Sequence, residues 1–265
     1  MIELRGKPVK DRIIEKLNKR ILSGQKVNFK LIYNPKFSEA LAYANQIDKL
    51  ASKLNQSVER FEISNFSEAV KALNTSKNDP LANICICRPL GVLDEDKLIS
   101  SVPSNMDGDM LTPLNRGKLA SGEIQYLTST AQAVRLILSY YQIELKGKNV
   151  LVLGRSNSVG LPISLMCLIS SACITTVHSQ VPVEKIKQQV KLADVIISAT
   201  GARNIISKDD FKSHQVLIDC GYHDDGKGDF DFIPNIYAYT PVPGGIGPIT
   251  ISCLIENAFF LKYGE

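Results

Sequence analysis

The fold is decided by the stretch NVLVLGRSNSVGLP at residues 149–162, in which a short apolar run passes directly into a glycine-containing turn. A strand, a turn and a helix start in this order direct backbone N–H groups and the positive helix end toward an anion. Gly154 and Gly160 do not have the GxGxxG spacing of the usual dinucleotide-binding turn. The stretch therefore indicates either a phosphate-binding turn or an ordinary connection between a strand and a helix.

Two neighbouring features favour the phosphate. Arg155 lies within the turn, and its guanidinium offers fixed charge and paired donors to a phosphate. The next apolar run, CITTVH, ends at His178 and Ser179, where NAD-specific enzymes usually carry Asp or Glu for the ribose 2′-hydroxyl. Because no carboxylate would repel a 2′-phosphate, the sequence predicts NADP as the cofactor. The alternatives are a surface ion pair for Arg155 and a polar strand end for His178.

Strand and helix patterns alternate on both sides of this stretch. Before it, helices are predicted at residues 8–23, 38–55 (capped by Ser38) and 66–76, and strands at 28–34, 57–64 and 82–90. A loop at 102–122 and a linking helix at 128–141, capped near Thr128 or Ser129, join the two halves. After it, strands are predicted at 149–153, 173–178, 194–200, 215–221 and 236–242, and helices at 160–170, 182–191 and about 250–263. The pattern predicts two α/β domains, the second with a Rossmann-type parallel sheet.

Composition excludes several classes of protein. The 265 residues include 31 basic and 27 acidic side chains in an interspersed order, which argues against a nucleic-acid surface. The first residues are amphipathic rather than signal-like, and no apolar window reaches the length of a membrane span. The six cysteines and three histidines lack zinc spacing. We therefore expect a cytoplasmic protein with no structural metal and no membrane or nucleic-acid partner.

Four motifs then point to one family: GRSNSVGLP at 154–162, TVHS at 176–179, ADVIISATG at 193–201 and PVPGGIGPIT at 241–250. Together they resemble the bifunctional methylenetetrahydrofolate dehydrogenase/methenyltetrahydrofolate cyclohydrolase family. LRGKPV at 4–9 and MDG at 106–108 extend the resemblance over nearly the whole chain. It implies a folate-binding catalytic domain at 1–125, joined by the last helix at 250–265, and an NADP-binding domain at 126–249. It also implies a cleft between these domains and a homodimer.

The resemblance assigns roles to individual residues. Arg155 and Ser179 would hold the 2′-phosphate, and the implied cofactor-binding set is Gly154, Arg155, Ser156, Asn157, Val159, Gly160, His178, Ser179, Thr200 and Gly201. Asp107 of MDG would bind the tetrahydrofolate derivative, since a carboxylate can accept two hydrogen bonds from a pterin. The implied substrate-binding loop is Pro241, Val242, Pro243, Gly244 and Gly245. For MDG the alternative is a plain turn, and for the loop a structural connection between domains.

The substrate side departs from the family pattern. The family helix carries S-x-x-Y-V-x-x-K, and counting from Ser38 places Leu41 at the tyrosine and Asn45 at the lysine. Cys87 stands at the position of the glutamine in the family strand GILVQLPLP. MDGDMLTP also has two extra residues before its proline. Lys49, one turn beyond Asn45, and Tyr43, two residues beyond Leu41, are the candidate substitutes.

These departures predict an unequal loss of function. Hydride transfer needs two aligned molecules and no protein base, whereas hydrolysis of the methenyl group needs a proton relay that Asn45 cannot supply. We therefore predict an NADP-dependent methylenetetrahydrofolate dehydrogenase whose cyclohydrolase activity is weak or lost. The alternatives are a non-catalytic paralogue that binds NADP or folate, and a dehydrogenase of another substrate.

Overall fold

The computed structural model describes residues 1–92 and 94–264. In chain order its helices and strands are β1 (Ile2–Glu3), α1 (Lys7–Leu22), β2 (Asn28–Tyr33), α2 (Ser38–Lys53), β3 (Ser57–Glu62), α3 (Phe66–Ser76), β4 (Ala82–Cys87), α4 (Glu95–Ser100), α5 (Pro113–Ala120), α6 (Ser129–Tyr140), β5 (Asn149–Leu153), α7 (Gly160–Ile169), β6 (Cys173–Val177), α8 (Val183–Leu192), β7 (Val195–Ser198), β8 (Val216–Asp219), β9 (Ala238–Tyr239) and α9 (Gly247–Tyr263). Short 3₁₀ turns occupy Ser104–Met106, Ile124–Tyr126 and Lys208–Asp210.

The chain divides into two compact units. Unit 1 comprises Met1–Arg12 and Leu119–Thr250, and unit 2 comprises Ile13–Lys118 and Ile251–Glu265. The first twelve residues, predicted to lie in the folate-binding domain, belong to unit 1 because Ile2 and Glu3 pair with Ala238 and Tyr239. Strand β1, which forms this pairing, was not predicted.

Unit 1 is built on a six-stranded sheet of order β1-β9-β8-β7-β5-β6, in which every pairing is parallel. Its central strands β7 and β8 are buried along their whole length, as expected of a parallel sheet covered on both faces. One core cluster joins Leu151 and Ile196 of the sheet to Ile186 and Val190 of α8. The predicted Rossmann-type α/β architecture is confirmed.

Unit 2 contains a three-stranded parallel sheet of order β3-β2-β4. All six residues of β4 are buried, and Ile84 and Ile86 pack with Ala69 and Leu73 of α3. The predicted α/β fold of this unit is likewise confirmed, so both halves of the chain have parallel sheets.

Some local predictions were wrong. The loop predicted at 102–122 contains α5, whose proline at the first helical position is a recognised start signal that the sequence reading missed. Helix α4 was also missed. Ser38 is the first residue of α2 and not its cap. Thr128 does occupy the N-cap position of α6, as predicted, although its side chain makes no capping hydrogen bond. Helix α9 begins at Gly247, before the predicted Thr250.

Other global features are simple. No helix of the described chain is long and apolar enough to cross a membrane. All six cysteines are among the described residues, and none of them forms a disulfide bond. Within residues 1–92 and 94–264, no His, Cys, Asp and Glu side chains are grouped so as to hold a metal ion.

Candidate active site

A cavity of about 380 Å³ in unit 1 lies at the carboxyl ends of β5, β6 and β7. This is the edge at which open α/β sheets bind ligands. We call it the cofactor cavity; it is lined by Leu153, Gly154, Arg155, Ser156, Val177, His178, Ser179, Val181, Val183, Ile186, Ala199, Thr200, Ala202 and Ile205.

The turn after β5 requires both of its glycines. Gly154 has φ +112°, and a Cβ there would overlap the carbonyl oxygen of Ala199. A Cβ on Gly160 would overlap the carbonyl oxygen of Gly154. The Ser156 hydroxyl accepts hydrogen bonds from the N–H groups of Val159 (3.2 Å) and Gly160 (3.4 Å). The turn is therefore a close backbone approach at a helix N-terminus, which is the geometry of a phosphate site.

The rim of the cavity has basic and hydroxyl groups. Arg155, Ser156 and Ser179 are exposed, while His178 is half-buried and its Nδ1 accepts a hydrogen bond of 3.3 Å from the Gln180 N–H. None of the described residues that line the cavity is Asp or Glu. An anionic ligand would therefore meet a guanidinium and no lining carboxylate.

A buried carboxylate holds one wall of the cavity in place. Asp229 is 1% exposed and accepts hydrogen bonds from the Ser198 hydroxyl (2.6 Å), the Thr200 N–H (2.9 Å) and the Thr200 hydroxyl (2.8 Å). His223 Nε2 lies 3.2 Å from its other oxygen. Since Thr200 lines the cavity, Asp229 fixes the wall from behind. Sequence reasoning missed this residue, because an isolated Asp in a loop carries no motif.

Six of the ten predicted cofactor-binding residues line the cavity: Gly154, Arg155, Ser156, His178, Ser179 and Thr200. Asn157, Val159, Gly160 and Gly201 do not line it, although Gly160 shapes the turn. Sequence reasoning missed the apolar lining, notably Val181, Val183 and Ile186. Apolar residues near strand ends cannot be told from core residues by pattern alone. Whether these groups contact a nucleotide stays a prediction.

The predicted substrate loop, Pro241–Gly245, is held by the start of the chain within unit 1. The Gly6 N–H donates to the Gly244 carbonyl oxygen at 2.8 Å, and Gly244 has φ +109°. Gly245 is buried, whereas Pro243 is exposed and Pro241 and Val242 are partly exposed. The loop has a defined path, and its role in folate binding stays a prediction.

In unit 2, the aspartate loop (Asp107–Thr112) is organised by its first carboxylate. Asp107 is 4% exposed and accepts hydrogen bonds from the Leu111 N–H (3.1 Å), the Thr112 N–H (2.7 Å) and Asn115 Nδ2 (3.0 Å). Burial raises the pKa of Asp107 to about 6, and these hydrogen bonds only partly oppose it. Three of the roughly four acceptor sites of the carboxylate are thus occupied, two by its own loop and one by Asn115 of α5.

A second carboxylate in the same loop meets the helix α2. The Tyr43 hydroxyl donates to Asp109 Oδ1 at 2.9 Å. Burial, reinforced by the charge of Asp109, raises the pKa of Tyr43 well above its ordinary value. Burial and the Asp109 charge also raise the pKa of Cys87, which is fully buried. Tyr43 and Cys87 both stay protonated at neutral pH as a result.

The three residues predicted on α2 are more exposed than the core face of this helix. Asn45 and Lys49 are exposed, and Leu41 is half-buried. The residue one helical turn after Tyr43 is Ile47, which is fully buried. Counting from Ser38 did not predict the hydrogen bond between Tyr43 and Asp109. The signal that could have found it was the pair of extra residues before Pro113. The roles of Leu41, Asn45 and Asp107 stay predictions.

The fold and the cavity together define an α/β protein with a nucleotide-binding Rossmann-type unit. Residues 128–262 match the sequence model of the tetrahydrofolate dehydrogenase/cyclohydrolase NAD(P)-binding domain. The bifunctional protein FolD of Coprothermobacter proteolyticus is 35% identical and is covered over 97% of its length by 99% of this chain. The chain therefore belongs to the tetrahydrofolate dehydrogenase/cyclohydrolase family.

Solved structures agree with this assignment. The bifunctional FolD enzyme of Campylobacter jejuni superposes with a TM-score of 0.91 at 27% identity, covering 99% of this chain and 98% of the other. The Trypanosoma brucei N5,N10-methylenetetrahydrofolate dehydrogenase-cyclohydrolase was solved with NADP and an inhibitor. It superposes with a TM-score of 0.89 at 26% identity, covering 99% of this chain and 97% of the other.

Proposed function

We propose that this protein is an enzyme of one-carbon metabolism that oxidises 5,10-methylenetetrahydrofolate to 5,10-methenyltetrahydrofolate with NADP, and that its cyclohydrolase activity is weak or lost. The observation that carries the proposal is a contrast between the two units. The cofactor cavity has a phosphate-type turn with Arg155 at its rim, whereas α2 presents buried Ile47 one turn after Tyr43.

The cofactor side fits NADP. Arg155 and Ser179, both exposed at the rim, would hold the 2′-phosphate, and the turn at Ser156–Gly160 would lie along the dinucleotide. When bound, NADP supplies the hydride acceptor at nicotinamide C4. The protein then has to align the two molecules, and no side chain has to move a proton in the oxidation.

On the substrate side we assign the pterin contact to Asp109 in preference to Asp107. Asp107 already accepts hydrogen bonds from Leu111, Thr112 and Asn115, while Asp109 accepts one from the Tyr43 hydroxyl. Counted back from Pro113, the extra residues put Asp109 where the family has its Asp-Gly aspartate, and Met110 then takes the glycine position. Met110 has φ +57°, the left-handed region that favours glycine, which supports this register.

The same register explains the weak hydrolysis. If Tyr43 is the family tyrosine, the lysine position four residues later is Ile47, and not Asn45. Attack of water on the methenyl carbon needs a group that gains and loses a proton near neutral pH. Ile47 has no such group, and burial keeps Tyr43 and Cys87 protonated. Asp107 has a pKa of about 6, but its carboxylate already accepts hydrogen bonds from Leu111, Thr112 and Asn115. Hydride transfer is untouched by this loss.

Two assays on the purified protein test the proposal. We expect oxidation of methylenetetrahydrofolate with NADP, and hydrolysis of methenyltetrahydrofolate no faster than in buffer. NADP binding without any turnover would instead identify a non-catalytic paralogue, and NADP binding without folate binding a dehydrogenase of another substrate. Rapid enzyme-dependent hydrolysis would contradict the lost cyclohydrolase.

A matched pair of variants tests the register. Ile47→Lys should gain hydrolysis, whereas Asn45→Lys, on the exposed face, should not. Dehydrogenase activity and NADP affinity monitor folding in both, because a lysine at a fully buried position strains the core. Gain of hydrolysis in Asn45→Lys alone would show that counting from Ser38 was right.

We further propose a cytoplasmic homodimer. The lack of disulfide bonds among the six described cysteines fits a reducing compartment. Helix α7 exposes Leu161 and Leu168 beside β6, the edge strand of the six-stranded sheet, and such a face suits a second copy of the chain. Light scattering should give twice the 29.2 kDa chain mass, and Leu168→Asp should shift it toward the monomer.

A further inference from the structure

Gly108 lies between the two aspartates of the aspartate loop, and buried amide side chains hydrogen-bond both its N–H and its carbonyl oxygen. Its N–H donates to Asn83 Oδ1 at 2.8 Å, and its carbonyl oxygen accepts from Asn257 Nδ2 at 3.0 Å. Asn83 in β4 is 1% exposed and Asn257 in α9 is 5% exposed. We call this arrangement the Gly108 clamp.

The clamp is closely packed around Gly108. A Cβ on Gly108 would lie 2.5 Å from Asn83 Oδ1 and 3.0 Å from the Leu254 carbonyl oxygen. Asn83 is itself oriented, because its Nδ2 donates to Cys85 Sγ at 3.2 Å. A buried side chain whose donor and acceptor are both engaged has one preferred orientation. The Gly108 peptide is therefore fixed in place by strand β4 and helix α9.

Fixing this peptide also fixes its neighbours. On one side, Asp107 holds the rest of the loop through Leu111 and Thr112. On the other side, Asp109 follows directly and accepts the Tyr43 hydroxyl. The Gly108 peptide cannot rotate without breaking a bond to Asn83 or Asn257, so the clamp restrains the backbone from which the Asp109 side chain extends.

We propose that Asn83 and Asn257 are positioning residues for folate oxidation, which act through Asp109 and do not touch the substrate. This inference rests on the proposed function, because it takes Asp109 as the pterin contact. Hydride transfer depends on the alignment of bound molecules, and a displacement of about 1 Å can cost roughly 100-fold in rate. The clamp supplies this alignment from outside the site.

The test is a double-mutant cycle on kcat/KM for methylenetetrahydrofolate with Asn83→Ala, Asp109→Asn and the double variant. Asn83→Ala alone should lower kcat/KM by roughly 10- to 100-fold, with the KM for NADP unchanged. In the Asp109→Asn background it should have almost no further effect. Equal effects of Asn83→Ala in both backgrounds would overturn the proposal.

Gln56→Ala is the matched control, since Gln56 is also a buried amide of unit 2 that accepts from one backbone N–H and donates to one carbonyl. Its partners, Val27 and Leu54, lie outside the aspartate loop. We expect a comparable loss of thermal stability with unchanged kcat/KM. A similar loss of kcat/KM in Gln56→Ala would mean that Asn83→Ala acts through general destabilisation, and the proposal would fail.

Amide hydrogen exchange separates this inference from the proposed function. Asn83→Ala and Asn257→Ala should each speed exchange at Gly108 and through the aspartate loop, whether or not the protein turns over folate. If the wild type does not oxidise the folate, the proposed function fails while the clamp can still be seen by exchange. Unchanged exchange at Gly108 and Leu111 in both variants would refute the clamp itself.

Discussion

The raised pKa of Asp107 predicts that the stability of the aspartate loop depends on pH. The folded carboxyl has a pKa of about 6, against 3.8 for the free group, chiefly because it is buried. The folded loop therefore binds the proton more tightly than the opened loop does. Stability from this group is complete below the unfolded pKa and is lost as the pH rises through the folded pKa.

The size of the effect follows from the two pKa values. As the pH rises from below the unfolded pKa to above the folded pKa, the free energy of loop opening falls by about 3 kcal/mol, at 1.36 kcal/mol per pKa unit. Between about pH 4.5 and 7.5 the expected loss is about 2 kcal/mol, which corresponds to roughly a 25-fold change in the opening equilibrium. Asp107 is almost fully buried, so screening by solvent reduces this little.

Hydrogen exchange at Leu111 and Thr112 measures the opening equilibrium of the loop directly, because their N–H groups donate to the Asp107 carboxylate. After correction for intrinsic exchange rates, their protection factors should fall by roughly 25-fold over this range. In Asp107→Asn the protection should no longer change with pH, although it starts lower because an amide cannot accept all three hydrogen bonds. Protection that rises with pH, as for a carboxylate with a lowered pKa, would refute the reasoning.

Three further predictions concern the cofactor cavity. Arg155→Ala should raise the KM for NADP by roughly 10- to 100-fold and leave that for NAD unchanged, because it removes a charged contact worth about 1.5–3 kcal/mol; equal changes for both would place Arg155 away from the 2′-phosphate. Gly160→Ala should abolish NADP binding in calorimetry, since its Cβ overlaps the Gly154 carbonyl, whereas Gly117→Ala, with open space around it, should bind normally. Asp229→Asn should weaken NADP binding about 10-fold by loosening Thr200, with the melting temperature lowered as well; unchanged affinity would show that the wall holds without the charge.

The fold was predictable where a pattern is local. Apolar runs such as those of β5 and β7 predict buried parallel strands from composition alone. The glycine at position 154 likewise predicts a tight turn after β5. Strand β1 was not predictable, since two residues carry no period and their pairing with Ala238 depends on chain ends far apart in sequence. Asp229 was missed for the same reason: its partners Ser198 and Thr200 become neighbours only through the sheet.

On the substrate side the difficulty was one of register. Counting from a serine assumes that the helix starts where the family helix starts, but a polar residue near a helix start is weakly constrained. The Tyr43 hydroxyl at Asp109 is a stricter marker, because it requires a particular helical face and a particular loop length together. The contact between two elements therefore supports a register that the spacing within one element leaves open.

The same contact bears on how the dehydrogenase reaction could continue if the cyclohydrolase reaction is lost, as we propose. Hydride transfer requires only that the aspartate loop is correctly positioned. The hydrogen bonds of Asn83, Asn257 and Tyr43 position it without any change of protonation. Hydrolysis asks in addition for a group that titrates near neutral pH, and burial at this site drives hydroxyl and thiol pKa values upward. Burial strengthens the hydrogen bonds of this site, but it also disfavours the charged forms through which a hydroxyl or thiol would relay a proton. A lysine placed at Ile47 would face the same burial, which would favour its neutral form and lower its pKa toward neutrality. Gain of hydrolysis in Ile47→Lys would therefore show that these surroundings can tune a proton relay.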